Sequence, residues 1–299
     1  MNQQQSICSQ AREKTRAKRA ATQVFSFLTL RAAAFVNCAA LVIACVFLFV
    51  NGIGALNIDF VLDSPREMMT SGGVFPCLVG TFLLAAGAIA IALPFGVACA
   101  VWLNEYGKQG PVVDIVRLSV ANLAGVPSIV FGLFGLAFFV TALGFNVSLL
   151  SGILTLAVLT LPVIINTTEE ALKQVPRSWR DASLALGATK SQTIGRIVLP
   201  SALPGILTGA ILAVARAAGE TSAVKFTAAV FYTPKLPESV WSSVMALPYH
   251  MYVLATAGTE IEKTRPMQYG TGLLLVVLVF AMNLIAILIR DKMQKKRLA

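Results

Sequence analysis

Two ionisable side chains, Arg216 and Glu220, stand inside an apolar stretch of the chain. A charge at mid-bilayer is costly unless it is paired, so both groups are expected to face the protein interior. On a continuous helix, a spacing of four residues would put them on one face. Two interpretations stay open. The pair is a salt bridge that locks two helices, or it takes part in a gate.

A second set of polar side chains, Asn122 and Ser128, lies in another apolar stretch beside Pro127. The proline has no backbone N–H, so it can free a carbonyl one turn earlier in a helix. Asn122 and Ser128 are therefore candidates for the lining of a polar pathway. Residues of these types are equally suited to packing one helix against another.

A long polar segment between two apolar stretches is rich in helix signals. Ser178-x-x-Asp181 and Thr189-x-x-Gln192 both have the pattern of a capping box. Gly187 falls between them, where a helix C-cap is expected. The pattern predicts two short helices joined by a glycine elbow. From the capping signals alone, a connector with no further role explains the segment equally well.

Six apolar stretches are available to position these groups, since a membrane helix needs roughly 20 mostly apolar residues. They are residues 32–54, 75–103, 119–144, 148–166, 202–224 and 269–290. A seventh stretch, 242–256, is short and interrupted by Pro248, which favours a re-entrant or interfacial segment. The sequence therefore predicts an all-α membrane protein with six transmembrane helices.

The composition favours a polytopic membrane protein over a soluble one. Apolar residues make up 57% of the 299 residues and charged residues only 13%, against about 25% charged in ordinary soluble domains. The apolar content also excludes intrinsic disorder. With one histidine and no clustered cysteines, the sequence offers neither a zinc site nor a disulfide framework.

The positive charges are spread unequally over the loops. With six spans, one side of the membrane holds 18 of the 24 Lys and Arg residues and the other side 5. The positive-inside rule then places both termini in the cytoplasm, with basic tails at 1–31 and 291–299 around a membrane domain at 32–290. Anionic lipid, rather than nucleic acid, accounts for the net charge of +10. A leader cleaved near Cys45 is the competing interpretation, but the apolar run continues past that cysteine and favours a retained span.

The polar segment, residues 167–201, carries a spaced pattern that resembles the EAA loop of ABC-importer permeases. The family pattern is Glu-Ala-Ala, three residues, Gly, nine residues and Ile-x-Leu-Pro, and the spacing agrees throughout. Here Asp181 replaces the glutamate and Ser183 the second alanine. The resemblance implies that this loop docks on an ATPase subunit and couples it to transport. The residues implied in coupling are Asp181, Ala182, Gly187, Ile197, Leu199 and Pro200.

Further segments within residues 70–290 are similar to the phosphate-specific branch of these permeases. The runs that carry the resemblance are 122–132, 161–172, 215–221 and 246–250. Thr-Thr-Glu-Glu in the second run and Leu-Pro-Tyr-His in the fourth resemble the A-type subunit rather than its C-type partner. The resemblance implies a type I, MetI-like bundle in the inner membrane that imports inorganic phosphate.

The same resemblance extends the polar pathway. Asn166 and Glu169 join Arg216, Glu220, Asn122 and Ser128 as implied pathway residues. In this family an arginine often stands where this chain has Asn166. A positive charge is therefore missing at that position, beside Glu169.

The chain contains no G-x-x-x-x-G-K-[ST] loop, so ATP binding by that route requires another protein. The resemblance implies a C-type homologous permease subunit, two ATP-binding subunits that hold ATP and Mg, and an extracytoplasmic phosphate-binding protein. The chain itself is expected to be no enzyme and to bind no cofactor or metal. A permease of the same fold for molybdate or sulfate is one alternative. A secondary transporter or channel is another, and that class should show paired broken helices in inverted repeats.

Overall fold

The computed structural model describes residues 2–108, 110–257 and 261–298, and these residues are almost entirely helical. The α-helices are α1 (Asn2–Gly52), α2 (Ile58–Leu62), α3 (Phe75–Val101), α4 (Pro111–Gly125), α5 (Ser128–Gly135), α6 (Leu149–Gln174), α7 (Arg177–Ala185), α8 (Lys190–Thr193), α9 (Leu199–Ala218), α10 (Ser222–Thr227), α11 (Leu247–Thr256) and α12 (Ile261–Leu298). Two short antiparallel strands, β1 (Pro65–Arg66) and β2 (Ser71–Gly72), form the only sheet in the described part. Single 3-10 turns occupy Ile53–Ala55 and Glu67–Met69.

The chain divides into two compact units, one ending at Asn51 and the other beginning at Gly52. The first unit is the single helix α1. From Phe27 onward most of its large apolar side chains are exposed, for example Phe35 at 75% and Leu41 at 67%. Exposure of this kind is expected for a helix whose solvent is lipid. The second unit, from Gly52 onward, is a helical bundle.

Five described helices are long and apolar enough to cross a membrane, or up to six if one bent pair counts as a span. They cover Ser26–Ala55, Phe75–Tyr106, Leu149–Gln174, Lys190–Ala218 and Thr264–Met293. The first, second, fourth and sixth predicted stretches coincide with members of this set. The prediction of an all-α membrane protein is confirmed.

The prediction of a continuous third span over 119–144 is wrong. Helices Pro111–Gly125 and Ser128–Ala142 meet at an angle of 104°. Pro127 lies at the break, and Val126 before it is extended, with φ −71° and ψ 131°. A proline disfavours helical geometry in the preceding residue and has no N–H to donate, so the helix ends there.

The fifth predicted span, 202–224, also differs. Helix α9 ends at Ala218, Gly219 caps it, and α10 begins as a separate short helix at Ser222. At its other end, α9 is extended backward. The π-helical turn Ile194–Val198 joins it to α8, so one helix runs from Lys190 to Ala218.

Helix α6 is the centre of the bundle and packs against both α3 and α9. Small residues on the facing helices allow the close approach. A Cβ at Gly205 would lie 2.5 Å from Ala171 Cβ, and one at Gly209 would collide with Thr167 Oγ1. Gly96 on α3 meets Ile164 in the same way. Contacts this tight fix how α6 lies between its neighbours.

The stretch 242–256 does not cross the bundle. Its helical part, α11, has only ten residues. The Leu247 N–H donates to Thr81 Oγ1 on α3 at 2.8 Å, and both groups are buried. A short helix tied to a neighbour in this way agrees with the predicted re-entrant or interfacial segment.

Candidate functional site

The polar loop between α6 and α9 is shorter than the predicted 167–201, because α6 continues to Gln174 and the next long helix begins at Lys190. Residues 175–189 form a compact unit, called here the elbow segment. We call the end of the bundle at Gln174 the elbow end, and the end at Leu149, where α6 begins, the far end.

Gly187 is the turning point of the elbow segment and has a φ of +84°. Its N–H donates to Leu184 O at 3.0 Å, and the next N–H, of Ala188, donates to Ser183 O at 3.2 Å. No atom lies within 4 Å of a Cβ placed on Gly187. Glycine is therefore required by backbone conformation and not by space, which confirms the predicted left-handed helix cap.

One of the two predicted capping boxes is present. The Gln192 N–H donates to Thr189 Oγ1 at 3.3 Å, and the Thr189 N–H donates to Gln192 Oε1 at 2.9 Å. The box at Ser178 is wrong, because α7 already begins at Arg177 and its N-cap is Pro176. Proline suits that position through its fixed φ, and no side-chain cap hydrogen bond forms there.

A buried hydroxyl pair closes the elbow. Ser183 Oγ on α7 and Thr193 Oγ1 on α8 lie 2.9 Å apart, and both residues are almost fully buried. Ser183 stands where the family pattern has alanine, so the substitution adds a polar contact between the two arms. This contact joins the elbow segment to the start of the helix at Lys190.

Arg180 attaches the elbow segment to two helices of the bundle. Its guanidinium donates to Glu105 Oε1 at 2.7 Å, to Val175 O at 2.6 Å and to Leu172 O at 2.9 Å. Both side chains of the ion pair are buried, at 17% and 8% exposure. Glu105 lies on the π-helical turn Trp102–Tyr106 that extends α3. One side chain thus joins α7, the end of α6 and the end of α3.

The remaining residues of the spaced pattern face two ways. Asp181 and Ala182 are exposed on α7, whereas Ile197, Leu199 and Pro200 are half-buried where α9 begins. Large apolar side chains are exposed beside the first group: Leu186 at 89%, Trp179 at 52% and Leu184 at 47%. We call these last three the apolar patch. An exposed apolar patch on a structured loop is typical of a docking surface.

A charged cluster lies at the elbow end of α6. Glu169 is 10% exposed and accepts from Arg117 Nη2 and Lys173 Nζ, each at 2.9 Å. Asn166 contributes to the same cavity, which measures about 240 Å³. Two cations thus share one carboxylate, and the cluster has a net positive charge. Asn166 and Glu169 therefore line one cavity.

Arg117 is the cluster residue that the sequence reasoning missed. It comes from α4, 52 residues before Glu169 in the chain. It supplies a positive charge beside Glu169 although position 166 is an asparagine. Arg117 lies in a predicted loop, just before an apolar stretch. Nothing in the local sequence indicates that its side chain would contact α6.

The predicted helical pair of Arg216 and Glu220 does not form. Arg216 lies in the last turn of α9, while Gly219 ends the helix and Glu220 follows it. Both side chains are half-buried, and no ion pair or hydrogen bond joins them in the described part of the chain. Without a continuous helix, a spacing of four residues no longer places two side chains on one face.

Asn122 and Ser128 lie on opposite sides of the 104° bend, at the end of α4 and the start of α5. Asn122 is exposed and Ser128 is half-buried. The two side chains therefore do not share one helix face, and the structure does not bring them together with Arg216 or Glu169 in one cavity.

His250 lies on α11 and is buried, not at the surface where an interfacial anchor would lie. Its Nδ1 is 3.4 Å from Thr271 Oγ1. Burial lowers the pKa of His250 from 6.5 to about 4, since the charged ring would be desolvated. A pKa this low keeps the imidazole neutral at physiological pH.

Known proteins similar to this chain identify its family. The family described as binding-protein-dependent transport system inner membrane component matches residues 92–298. The chain belongs to this family. It is 33% identical over 83% of its length to the probable ABC transporter permease protein YqgI of Bacillus subtilis, of which 90% is covered.

Other relatives carry a substrate in their names. The phosphate transport system permease protein PstA 1 of Mycobacterium tuberculosis is 39% identical over 76% of this chain and 73% of its own. PstA of Xylella fastidiosa is 31% identical over 86% of this chain and 94% of its own. The chain is thus a multi-pass membrane permease subunit of an ABC importer, similar to the PstA proteins.

Solved structures agree on the fold. A chain of the MetNI methionine ABC transporter, in an inward-facing conformation, matches 74% of this chain and 94% of its own with a TM-score of 0.57 and 23% identity. A bacterial alginate ABC transporter in complex with its periplasmic protein matches 84% of this chain and 87% of its own, with a TM-score of 0.56. The predicted MetI-like bundle is confirmed.

Proposed function

We propose that this chain is the A-type transmembrane subunit of an ATP-driven importer of inorganic phosphate. The observation that carries the proposal is the charged cluster at Glu169, where two cations and one carboxylate line a cavity. A net positive site attracts an oxyanion, and the carboxylate keeps the attraction weak enough for release. The relatives named for phosphate transport support this choice of anion.

Coupling would begin at the apolar patch of the elbow segment, which is suited to a groove on an ATP-binding subunit. A push on this surface reaches α6 and α3 through Arg180 and reaches α9 through the Ser183–Thr193 contact. These helices carry Glu169 and Arg216. Movement of the patch is thereby converted into movement of the charged groups that an anion would meet.

The assembly that follows from this proposal has several other members. We infer a C-type homologous permease subunit, two ATP-binding subunits that hold ATP and Mg, and an extracytoplasmic phosphate-binding protein. A periplasmic protein accompanies the structurally similar alginate transporter. The chain itself would carry out no catalysis. Its contribution is the pathway, with lipid around it.

The proposed orientation puts both termini and the elbow segment in the cytoplasm of a cell with this protein in its inner membrane. Lys235 and Glu238 would then face outside. Single cysteines in a background without the five native ones test this with a membrane-impermeant thiol reagent. Labelling is expected at position 235 in intact cells, and labelling at position 192 would contradict the orientation.

The decisive experiment combines purification with uptake. The tagged chain is co-expressed with its C-type and ATP-binding partners, and ATP-dependent accumulation of radiolabelled phosphate is measured with unlabelled molybdate and sulfate as competitors. We expect an ATP-binding subunit to copurify and only phosphate to compete strongly. Strong competition by molybdate or sulfate would transfer the proposal to that oxyanion.

A secondary transporter is the second class to be tested. That class places two broken helices in corresponding repeats. Among the described residues a single bent pair occurs, α4 with α5. Phosphate uptake that persists without ATP, driven by an ion gradient, would favour this class over the proposed one.

A further inference from the structure

Lys225 is a cation at the far end of the bundle that no part of the coupling scheme uses. It lies on α10 and is half-buried. Among the residues that the structure describes, no acidic side chain forms an ion pair with it. An ionisable group inside a membrane bundle without a counter-charge is a functional candidate, because its desolvation must be compensated.

Aromatic contacts hold the Lys225 ammonium in place without neutralising it. Nζ lies 3.3 Å from Tyr252 Oη and 4.6 Å from the centre of the Tyr252 ring. The Phe226 ring centre is 5.9 Å away. A ring face attracts a cation through its quadrupole but has no net charge. The contact with Tyr252 Oη accounts for one of the three donors of an ammonium group.

Lys225 borders a cavity of about 440 Å³. The polar groups around it are donors or neutral: Thr221, Ser222, Tyr252 and Gln268. Apolar side chains such as Phe226 form the rest of the wall, and none of the described residues that line it is a carboxylate. Since a water molecule occupies about 30 Å³ in the liquid, the cavity has room for a partly hydrated tetrahedral anion.

The position of this cavity separates it from the cluster at Glu169. Ser148 is the N-cap of α6. Its backbone N–H donates to Thr227 O on α10 at 3.1 Å. Helix α6 has 26 residues and therefore spans about 39 Å. Glu169 lies near its other end. The two cationic sites thus stand at opposite ends of the same central helix.

We propose that Lys225, with the hydroxyls of Thr221, Ser222 and Tyr252, forms an oxyanion-binding site at the far end of the pathway. The inference rests on the proposed transport of an oxyanion and adds a first contact to it. The ammonium supplies the charge and the hydroxyls donate to the anion oxygens. Because no carboxylate of the residues that the structure describes opposes the lysine, this site would capture the anion rather than discharge it.

The test uses the complete complex in membranes and measures the KM for phosphate uptake together with the amount of complex. Lys225→Gln is expected to raise KM about tenfold at unchanged abundance of the complex. This is the loss of affinity expected when one hydrogen bond to a charged group is removed. Lys225→Arg should stay within about threefold of wild type, because it retains the charge. Lys235→Gln is the matched control, an exposed lysine ten positions along the same segment. It should have no effect.

A second pair of variants keeps the test valid if the lysine is also needed for folding. Ser222→Asp places a carboxylate one helical turn from Lys225 and should raise KM as Lys225→Gln does. Ser222→Asn has nearly the same shape as Ser222→Asp without the charge. It measures the loss of the Ser222 hydroxyl alone and should raise KM clearly less than Ser222→Asp does. An unchanged KM in both Lys225→Gln and Ser222→Asp, at normal abundance, would overturn the site. Lower abundance of Lys225→Gln combined with an unchanged KM of Ser222→Asp would likewise reduce Lys225 to a structural tie to Tyr252.

Failure of the proposed function gives a different result. If the wild-type complex accumulates molybdate or sulfate and not phosphate, the same variants are measured with that oxyanion, and a raised KM still supports the Lys225 site. If wild type transports phosphate and the variants match it, only the Lys225 site is refuted. A wild-type complex that accumulates no oxyanion refutes both proposals.

Discussion

The charged side chains near the two ends of α6 differ in whether they have a counter-charge. At the elbow end, every buried charge has a counter-charge: Arg180 pairs with Glu105 at 2.7 Å, and Arg117 and Lys173 share Glu169. At the far end, Lys225 faces a cavity with no acidic partner in the described chain. The ionisable group that is buried there, His250, is neutral.

The difference separates two tasks. A buried ion pair with its hydrogen bonds complete holds three elements in one arrangement, which suits the transmission of a movement. A cation with only aromatic rings and hydroxyls around it remains able to bind an anion, which suits capture. The elbow end therefore depends on its pairs for shape, and the far end keeps its charge available.

Breaking the main pair of the elbow end should have the largest effect. Arg180→Gln leaves Glu105 buried without a counter-charge and removes the donors to two carbonyls, so a loss of about 3–5 kcal/mol in unfolding free energy is expected. Arg177→Gln removes an exposed arginine from the same short helix and is the control. Thermal unfolding of the purified complex measures both. Equal melting temperatures for the two variants would show that the pair does not hold the elbow.

Acid should weaken the far end through His250. The unfolded chain binds a proton near pH 6.5 and the folded chain only near pH 4, so the unfolded state binds more protons between these values. The contribution is fully present above pH 6.5 and is lost as the pH falls toward 4. Between pH 7.5 and 5 we expect a loss of about 2 kcal/mol.

His250→Gln isolates this contribution, because His250 is the chain's only histidine and glutamine does not titrate. The melting temperature should fall more steeply between pH 7.5 and pH 5 in the wild-type protein than in the variant. Amide hydrogen exchange, after correction for the intrinsic effect of pH, should show that acid increases local opening in α11 and not in α7. Parallel pH profiles for the two proteins would contradict the assignment.

The elbow also depends on a backbone conformation. Gly187→Val puts a β-branched residue at a φ of +84°, which costs about 1–2 kcal/mol or more locally. We expect the subunit to insert in the membrane while substrate-stimulated ATP hydrolysis by the complex is lost. Gly195→Val is the matched control. An added Cβ is equally unobstructed there, but the backbone is right-handed. Normal hydrolysis and uptake in Gly187→Val would remove the elbow from the coupling route.

The smallest effect is a difference between two charge pairs. A double-mutant cycle of Arg117→Gln with Glu169→Gln should show a coupling of about 0.5–1 kcal/mol, since Arg117 is 44% exposed and solvent screens it. The same cycle for Arg216 and Glu220 should give a coupling near zero, because no ion pair joins them. Unfolding free energies of the single and double variants provide both values. A larger coupling for the second pair would mean that α9 and the residues after it are arranged differently.

The parts of the site that could be predicted from the sequence depend only on residues close to one another along the chain. The left-handed turn at Gly187 and the capping box at Thr189 need only a few residues of local chain, and both are present. The spacing between Asp181 and Pro200 was equally visible. The prediction of a Ser178 box was wrong although it too is local, because the N-cap of α7 is Pro176, two residues before Ser178.

The errors arise where one residue ends a helix that hydropathy alone continues. Pro127 breaks the third span, and Gly219 separates Glu220 from the helix of Arg216. Apolar content does not record such breaks. Arg117 and Lys225 were missed for another reason. Each was counted as a loop charge, and its partners lie in helices that only the folded chain brings near.

The contact between Arg117 and Glu169 also bears on how this family changes over generations. The carboxylate keeps an arginine although Asn166 does not provide one, since α4 delivers it from another part of the chain. We expect positions 117 and 166 to be alternative sources of the same charge. A relative with arginine at the position of Asn166 would not need one at the position of Arg117. In an alignment of relatives, the residues at positions 117 and 166 should therefore vary together. Each position taken alone would show a poorly conserved arginine.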